Sequence, residues 1–311
     1  MPLRALAGRA DTGFPKGHAA TSESGALSTR GPRDATVNSI GKRSRLGDLA
    51  YVGVIRGIAA FAMVLLLAPT VVVLITSFTG EQTLKFPPPT WSLRWYGELL
   101  HSGELIDAAW TSLKIAFWAT LICGVLGTAA ALGIARSRSP VARLLDSLFM
   151  SPMVLPAMAF GLALLMVFSL LSVRLSIWTL TIGHVVICTP FVIRMVSAAV
   201  QQLDVALHDC SLSLGASRFY TLRRVTLPLI GRGVFAGCFV AFLTSFDHVP
   251  VSLFLSDART EVLPIKLWQI LEASLDVRVA AVSGVIVIVT LVGLIVAQRL
   301  FGRGVGVAER R

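Results

Sequence analysis

Residues 110–135 read WTSLKIAFWATLICGVLGTAAALGIA, with a single charged side chain, Lys114, in the whole stretch. A helix of roughly 20 apolar residues spans the hydrocarbon core of a bilayer, and this run is long enough to do so. Lys114 lies near one end, where a long side chain can carry its ammonium to the headgroups. Five further runs of this kind flank it, at about 57–77, 144–171, 177–199, 230–256 and 279–297. Pro69, Pro152, Pro156, Pro190 and Pro250 fall inside them. Within a bundle, neighbouring helices can satisfy the carbonyls that proline frees, so these positions mark bends rather than breaks in the pattern.

Composition agrees with that reading. Hydrophobic residues make up 55% of the 311-residue chain and charged ones only 14%, against about 25% in a soluble domain. Mean hydropathy is +0.76. The net charge of +11 is spread over short segments beside apolar runs, with no single basic face, so a nucleic-acid partner is excluded in favour of the lipid membrane. The fold class expected is all-α, a polytopic membrane bundle of six transmembrane helices. Cys123, Cys188, Cys210 and Cys238 show no metal-ligand spacing, so neither a metal site nor a disulfide is expected.

Residues 1–48, rich in Gly, Ala, Ser, Thr and Arg, carry no hydrophobic period and read as a disordered cytoplasmic tail. No apolar segment of signal-peptide type precedes residue 50, and Asp11, Glu23 and Asp34 argue against a transit peptide. The helical body covers 49–300, and 301–311 form a second tail. Basic residues set the orientation. Lys42, Arg43, Arg45 and Arg56 precede span one, and Arg136, Arg138 and Arg143 link spans two and three. Arg194, Arg218, Arg223, Arg224 and Arg232 surround the link between spans four and five, and Arg299, Arg303, Arg310 and Arg311 follow span six. The alternate links are poorer, so both termini are expected in the cytoplasm. Outside, the prolines of 86–91 imply a stiff extended path, and Trp91, Trp95 and Tyr96 suit an interfacial anchor.

The cytoplasmic segment 201–229 carries most of the functional information. Leu203, Leu207, Cys210 and Leu214 recur at helical spacing. Gly215 is a helix stop, Ser217 can cap a second helix, and Pro228 is expected to end it. An apolar stripe on so short a soluble segment needs a cover: membrane, bundle or partner.

This segment resembles the EAA loop of binding-protein-dependent ABC import permeases: Glu-Ala-Ala, three residues, Gly, nine residues, then Ile-x-Leu-Pro. Here Asp209-Cys210-Ser211 stand at the opening, Gly215-Ala216 follow, and nine residues after Gly215 come Val225-Thr226-Leu227-Pro228. Asp keeps the charge of Glu, while Cys and Ser keep the small size of Ala. The likeness extends over roughly 50–300, through Ser151-Pro-Met-Val-Leu-Pro156, Thr189-Pro-Phe-Val-Ile-Arg194 and Leu263-Pro-Ile-Lys-Leu-Trp268. It is most similar to the second permease subunit of spermidine/putrescine importers.

The resemblance implies a bacterial inner-membrane subunit forming half of a translocation path. Its partners would be an ATP-binding subunit acting as a dimer, a second permease and a periplasmic solute-binding protein. The loop's short helix would seat in a groove of the ATPase, with Asp209, Cys210, Ser211, Gly215, Ala216, Leu227 and Pro228 as the coupling residues. The chain has no Walker A sequence, since Gly41-Lys42 lacks the upstream glycine and is followed by Arg43. No catalytic residue and no cofactor is expected, and ATP hydrolysis falls to the partner. Asp247 is the acidic residue placed well inside a span, either fixing a bend near Pro250 or lining the path beside Phe246. His184 and His248 read as separate, internally satisfied histidines. Other ABC solutes and, more distantly, a secondary transporter are the alternative readings.

Overall fold

The structure, a computed structural model, describes residues 33–301 other than Arg138 and Leu275, with side chains over 49–299. The chain divides into two units, Met1–Leu65 and Leu66–Arg311. Helix α1 covers Arg33–Thr76, while residues 1–32 and 302–311, most of the two expected tails, lie outside the described residues. Adding residues to an existing helix is far easier than nucleating one, which lets the apolar run carry helix into a polar sequence. There follow α2 (Arg94–Leu99), α3 (Gly103–Ala135), α4 (Pro140–Val154), α5 (Ala157–Leu170) and α6 (Ile177–Gln201). Then come α7 (Val205–Ser213), α8 (Arg218–Thr221), a π-helical turn (Leu222–Thr226) and α9 (Leu227–Phe246). The last three are α10 (Val249–Leu255), α11 (Leu263–Ala273) and α12 (Val277–Phe301). Among the described residues there is no β-strand, only isolated bridges from Thr79 to Trp91 and from Thr83 to Asp276.

Leu49–Thr76, Gly103–Ala135, Ile177–Gln201, Arg218–Phe246 and Val277–Arg299 are each long and apolar enough to cross a membrane. The pair α4–α5 makes a sixth if taken as one span, but it is bent by 106°. The expected continuous third span is thereby corrected. Leu155 is extended, at φ −76° and ψ 143°, because the ring of Pro156 disfavours the helical conformation in the residue before it. The fifth span is also corrected. It ends at Phe246, the chain turns through Asp247 and His248, and a new helix starts with Pro250 in its first turn. Pro190, by contrast, lies inside α6 without breaking it.

Helices α3, α6 and α9 form the core. The buried face of α3 runs Leu105, Ala108, Ser112, Ala116, Ala119, Cys123, Gly127, Ala131, a stripe of mostly small residues at three- and four-residue steps. Hydrocarbon is as apolar as leucine, so close backbone approach rather than water exclusion holds such helices together. A β-carbon on Gly127 would stand 2.9 Å from the side chain of Val192, and one on Gly237 would stand 3.0 Å from the Cα of Val192. These two glycines bring α3 and α9 onto the same turn of α6.

The connection after α1 closes on itself. The Gly80 N–H donates to the Thr90 carbonyl at 2.9 Å, and the Ser92 N–H donates to the Phe78 carbonyl at 2.7 Å. The proline run is therefore part of a closed loop rather than an extended arm. Trp95 is buried against Val277 and Ala281, and its indole N–H donates to the Glu81 carbonyl at 3.1 Å, so it anchors protein to protein. Trp91 remains exposed.

Candidate functional site

The segment between spans four and five is built from local rules. Asp204 caps α7 by accepting the Ala206 N–H at 2.9 Å. At the other end Gly215 takes φ +84°, a left-handed conformation that glycine adopts without steric cost. The Gly215 N–H then donates to the Leu212 carbonyl at 2.9 Å and the Ala216 N–H donates to the Ser211 carbonyl at 3.2 Å. That pair of bonds is a Schellman closure. Ser217 caps α8 by accepting the Tyr220 N–H at 3.2 Å, as its residue type and position predict. The Ser211 and Thr221 hydroxyls lie 2.9 Å apart and tie the two short helices together.

Pro228 does not end the second helix. It has no N–H to offer the carbonyl of Arg224, and its ring crowds that turn. The helix widens instead: the Leu227 N–H donates to Leu222, five residues back, and the span continues from Arg218 to Phe246. Proline here produces a π turn. Of the expected coupling residues, Asp209, Cys210, Gly215, Leu227 and Pro228 are exposed, while Ser211 and Ala216 are half-buried. Val205, Leu207, Leu214, Phe219 and Tyr220 are exposed as well, whereas Leu203 packs toward the core.

The second cluster surrounds the break in span five. Asp247 is the C-cap of α9 and is exposed, so it lies at the end of that helix rather than deep within a continuous span. Among the described residues its carboxylate has no hydrogen bond or ion pair; the cap of α10 is His248, whose Nδ1 accepts the Val251 N–H at 3.3 Å. Phe246 stacks on Phe242 at 6.3 Å and packs against Leu105, Ala108, Leu263 and Val282. The two histidines are neighbours, their rings 5.8 Å apart and edge to face. His184 is 1% exposed and reaches both sides of the break: Nδ1 lies 2.8 Å from the Ser245 hydroxyl and Nε2 lies 3.1 Å from the Ser252 hydroxyl. Sequence reasoning treats these residues singly, because 61 and 68 positions separate the partners.

Basic side chains near α2, α11 and α12 are paired with acids. Lys266 bridges Glu104 at 2.9 Å and Glu261 at 3.3 Å, Arg94 meets Glu98 at 2.7 Å, and Arg278 meets Asp276 at 2.6 Å. The bond from Glu104 holds the Lys266 ammonium above its ordinary value. No ion pair involves Arg143, Arg194, Arg218, Arg223 or Arg224 among the described residues. Nor do His, Cys, Asp and Glu gather there into a group able to hold a metal.

A bundle of broken apolar helices with a capped two-helix excursion between two spans is the architecture of an integral membrane protein. The fold is shared with a chain of a bacterial alginate ABC transporter solved with an alginate pentasaccharide-bound periplasmic protein. The TM-score is 0.63 and the identity 15%, over 84% of this chain and 96% of that one. The chain belongs to the family of binding-protein-dependent transport system inner membrane components, whose match covers residues 123–306. It is 28% identical to the spermidine/putrescine transport system permease protein PotC of Escherichia coli (strain K12), over 83% of this chain and 96% of PotC. It is 29% identical to the putrescine transport system permease protein PotI of the same strain, over 74% and 84%.

Proposed function

We propose that this subunit, paired with a second permease, forms half of the path by which an ATP-driven importer takes up a small organic cation, a polyamine such as putrescine or spermidine. Segment 201–229 seats on a separate ATP-hydrolysing subunit, which works as a dimer, and a periplasmic binding protein delivers the solute. The observation that carries the coupling is the continuity of Arg218–Phe246: a helix that begins on the exposed excursion widens at the π turn 222–226 and continues to the break at Asp247. A pull on the short helices therefore moves the far end of span five as a rigid rod. Asp209, Cys210, Ser211, Gly215 and Ala216 present the docking face, and Leu227 and Pro228 pass its movement on.

Both termini lie in the cytoplasm in this reading. The ion-paired cations of α2, α11 and α12 would then be outside, and Arg143, Arg194, Arg218, Arg223 and Arg224 inside, where anionic headgroups and a partner can neutralise them. The polyamine reading is supported by the names of two relatives and by the unpartnered carboxylate of Asp247 beside Phe246, a setting that attracts an alkylammonium.

The complex with its partner subunits in liposomes, loaded with ATP and given labelled putrescine and spermidine, tests it. One charge removed from a poorly screened passage is worth at least the roughly 1.4 kcal/mol that corresponds to tenfold in rate. Asp247→Asn is therefore expected to slow uptake by more than tenfold with assembly intact. Unchanged uptake removes Asp247 from the path, and uptake independent of ATP favours a secondary transporter instead.

A further inference from the structure

We infer that His184 is a positioning residue of the path: it ties the two halves of span five together across their break and so fixes where Asp247 stands. Both sides of the break pack on α6. Helix α10 is seated tightly. A β-carbon on Gly161 of α5 would stand 2.8 Å from both Phe254 and the Pro250 carbonyl, and one on Gly183 of α6 would stand 2.7 Å from Leu255. Val251, Ser252 and Leu255 are buried on that seat. Helix α9 packs on α6 as well, where a β-carbon on Gly237 would stand 3.0 Å from the Cα of Val192, and it is the side joined to the excursion 205–221.

His184 projects from α6, one residue beyond the Gly183 seat, and is the residue that touches both sides. One ring nitrogen meets Ser245, two positions before Asp247, and the other meets Ser252, on the seated helix. A neutral imidazole offers one donor and one acceptor, and a serine hydroxyl can supply either role, so both bonds form in either tautomer. In so buried a place an abandoned nitrogen or hydroxyl would have no water to turn to, which makes the arrangement selective for one register of α9 against α10. His248, edge to face with His184, occupies the turn itself and caps α10. Asp247 lies in sequence between these two fixed points, and among the described residues its carboxylate has no bond of its own, so its direction is set by the backbone that His184 holds.

This inference rests on the reading of Asp247 as a path residue, and the experiment separates the two. In the reconstituted complex, His184→Phe keeps a planar ring and removes both bonds, while Ser245→Ala and Ser252→Ala each remove one and leave volume nearly unchanged. Each is expected to raise the KM for putrescine by fivefold or more with smaller change in maximal rate. Combined with Asp247→Asn, His184→Phe should add little, because the group it positions has already lost its charge. Multiplying losses, or a fall in yield alone, would mark a purely structural role and overturn the inference. A readout independent of transport uses Asp247→Cys, labelled with a water-soluble methanethiosulfonate and compared with the parent complex. Its labelling rate should change by severalfold when His184→Phe or Ser252→Ala is added. An unchanged rate overturns the positioning role whatever the uptake assay gives. If Asp247→Asn alone leaves uptake unaffected while labelling at position 247 still responds to His184, the path reading fails and the tie across the break stands.

Discussion

At Gly215 the backbone, rather than crowding within the chain, imposes the residue type. Its φ is +84°, yet nothing lies within 4 Å of the position a β-carbon would take. A left-handed conformation costs an L-residue roughly 1–2 kcal/mol, and asparagine tolerates it best. Gly215→Asn is therefore expected to retain coupling, Gly215→Ala to lose about 1 kcal/mol of local order, and Gly215→Val to lose more. Amide exchange over 205–221, measured alongside co-purification of the ATPase, checks the ranking; equal damage from Asn and Val would mean that the partner's groove, not φ, sets the size limit. Gly215 and Ser217 were legible as a stop and a cap because their effects are local, whereas the Asp204 cap was not read. Pro228 was misread for a reason equally local: lack of an N–H can be absorbed by a wider turn as well as by termination. His184 was legible only as a polar residue in an apolar run, since its partners lie on helices far away in sequence.

Among the elements, the straight spans were read closely and the interrupted ones were not. Span four matches α6 at its first residue, Ile177, and ends within two residues of it. Spans three and five were read as single spans bent at proline because hydropathy ignores direction: α4 and α5 are both apolar, and the size of the 106° bend between them is not written in composition. Pro156 marks one of these breaks at its site, whereas Pro250 lies beyond Asp247 and His248, inside the helix that follows. The short α8 tests how much order a single cap supplies. It is the first turn of the helix Arg218–Phe246, with only Thr221 of its four residues buried, and the Ser217 bond closes its free end. Ser217→Ala is expected to cost about 1 kcal/mol there. It should speed amide exchange over 218–221 several-fold while the spans stay protected; unchanged exchange would show that the spans, not the cap, order this turn.

For the molecule as a whole, orientation is the property on which every assigned role depends. Gln82 and Ser213 are both exposed and sit on opposite sides of the proposed topology. Cysteines introduced at these positions in intact cells should react with an impermeant reagent at 82, and at 213 only after permeabilisation. Labelling at 213 in intact cells would invert the arrangement and remove the docking segment from the ATPase. The π turn at Leu222–Thr226 adds a further dependence. Each residue of an α-helix advances the next by about 100° around its axis, so one surplus residue sets Phe219 and Tyr220 at a different azimuth from that of an unbroken helix. Excising Val225, with Pro228→Ala to let the ladder close, would leave the composition of the docking helices unchanged while rotating them about a quarter turn around the rod. Such a subunit should insert and fold yet fail to engage its motor, as a key cut correctly but mounted at the wrong angle on its shaft fails to turn the lock.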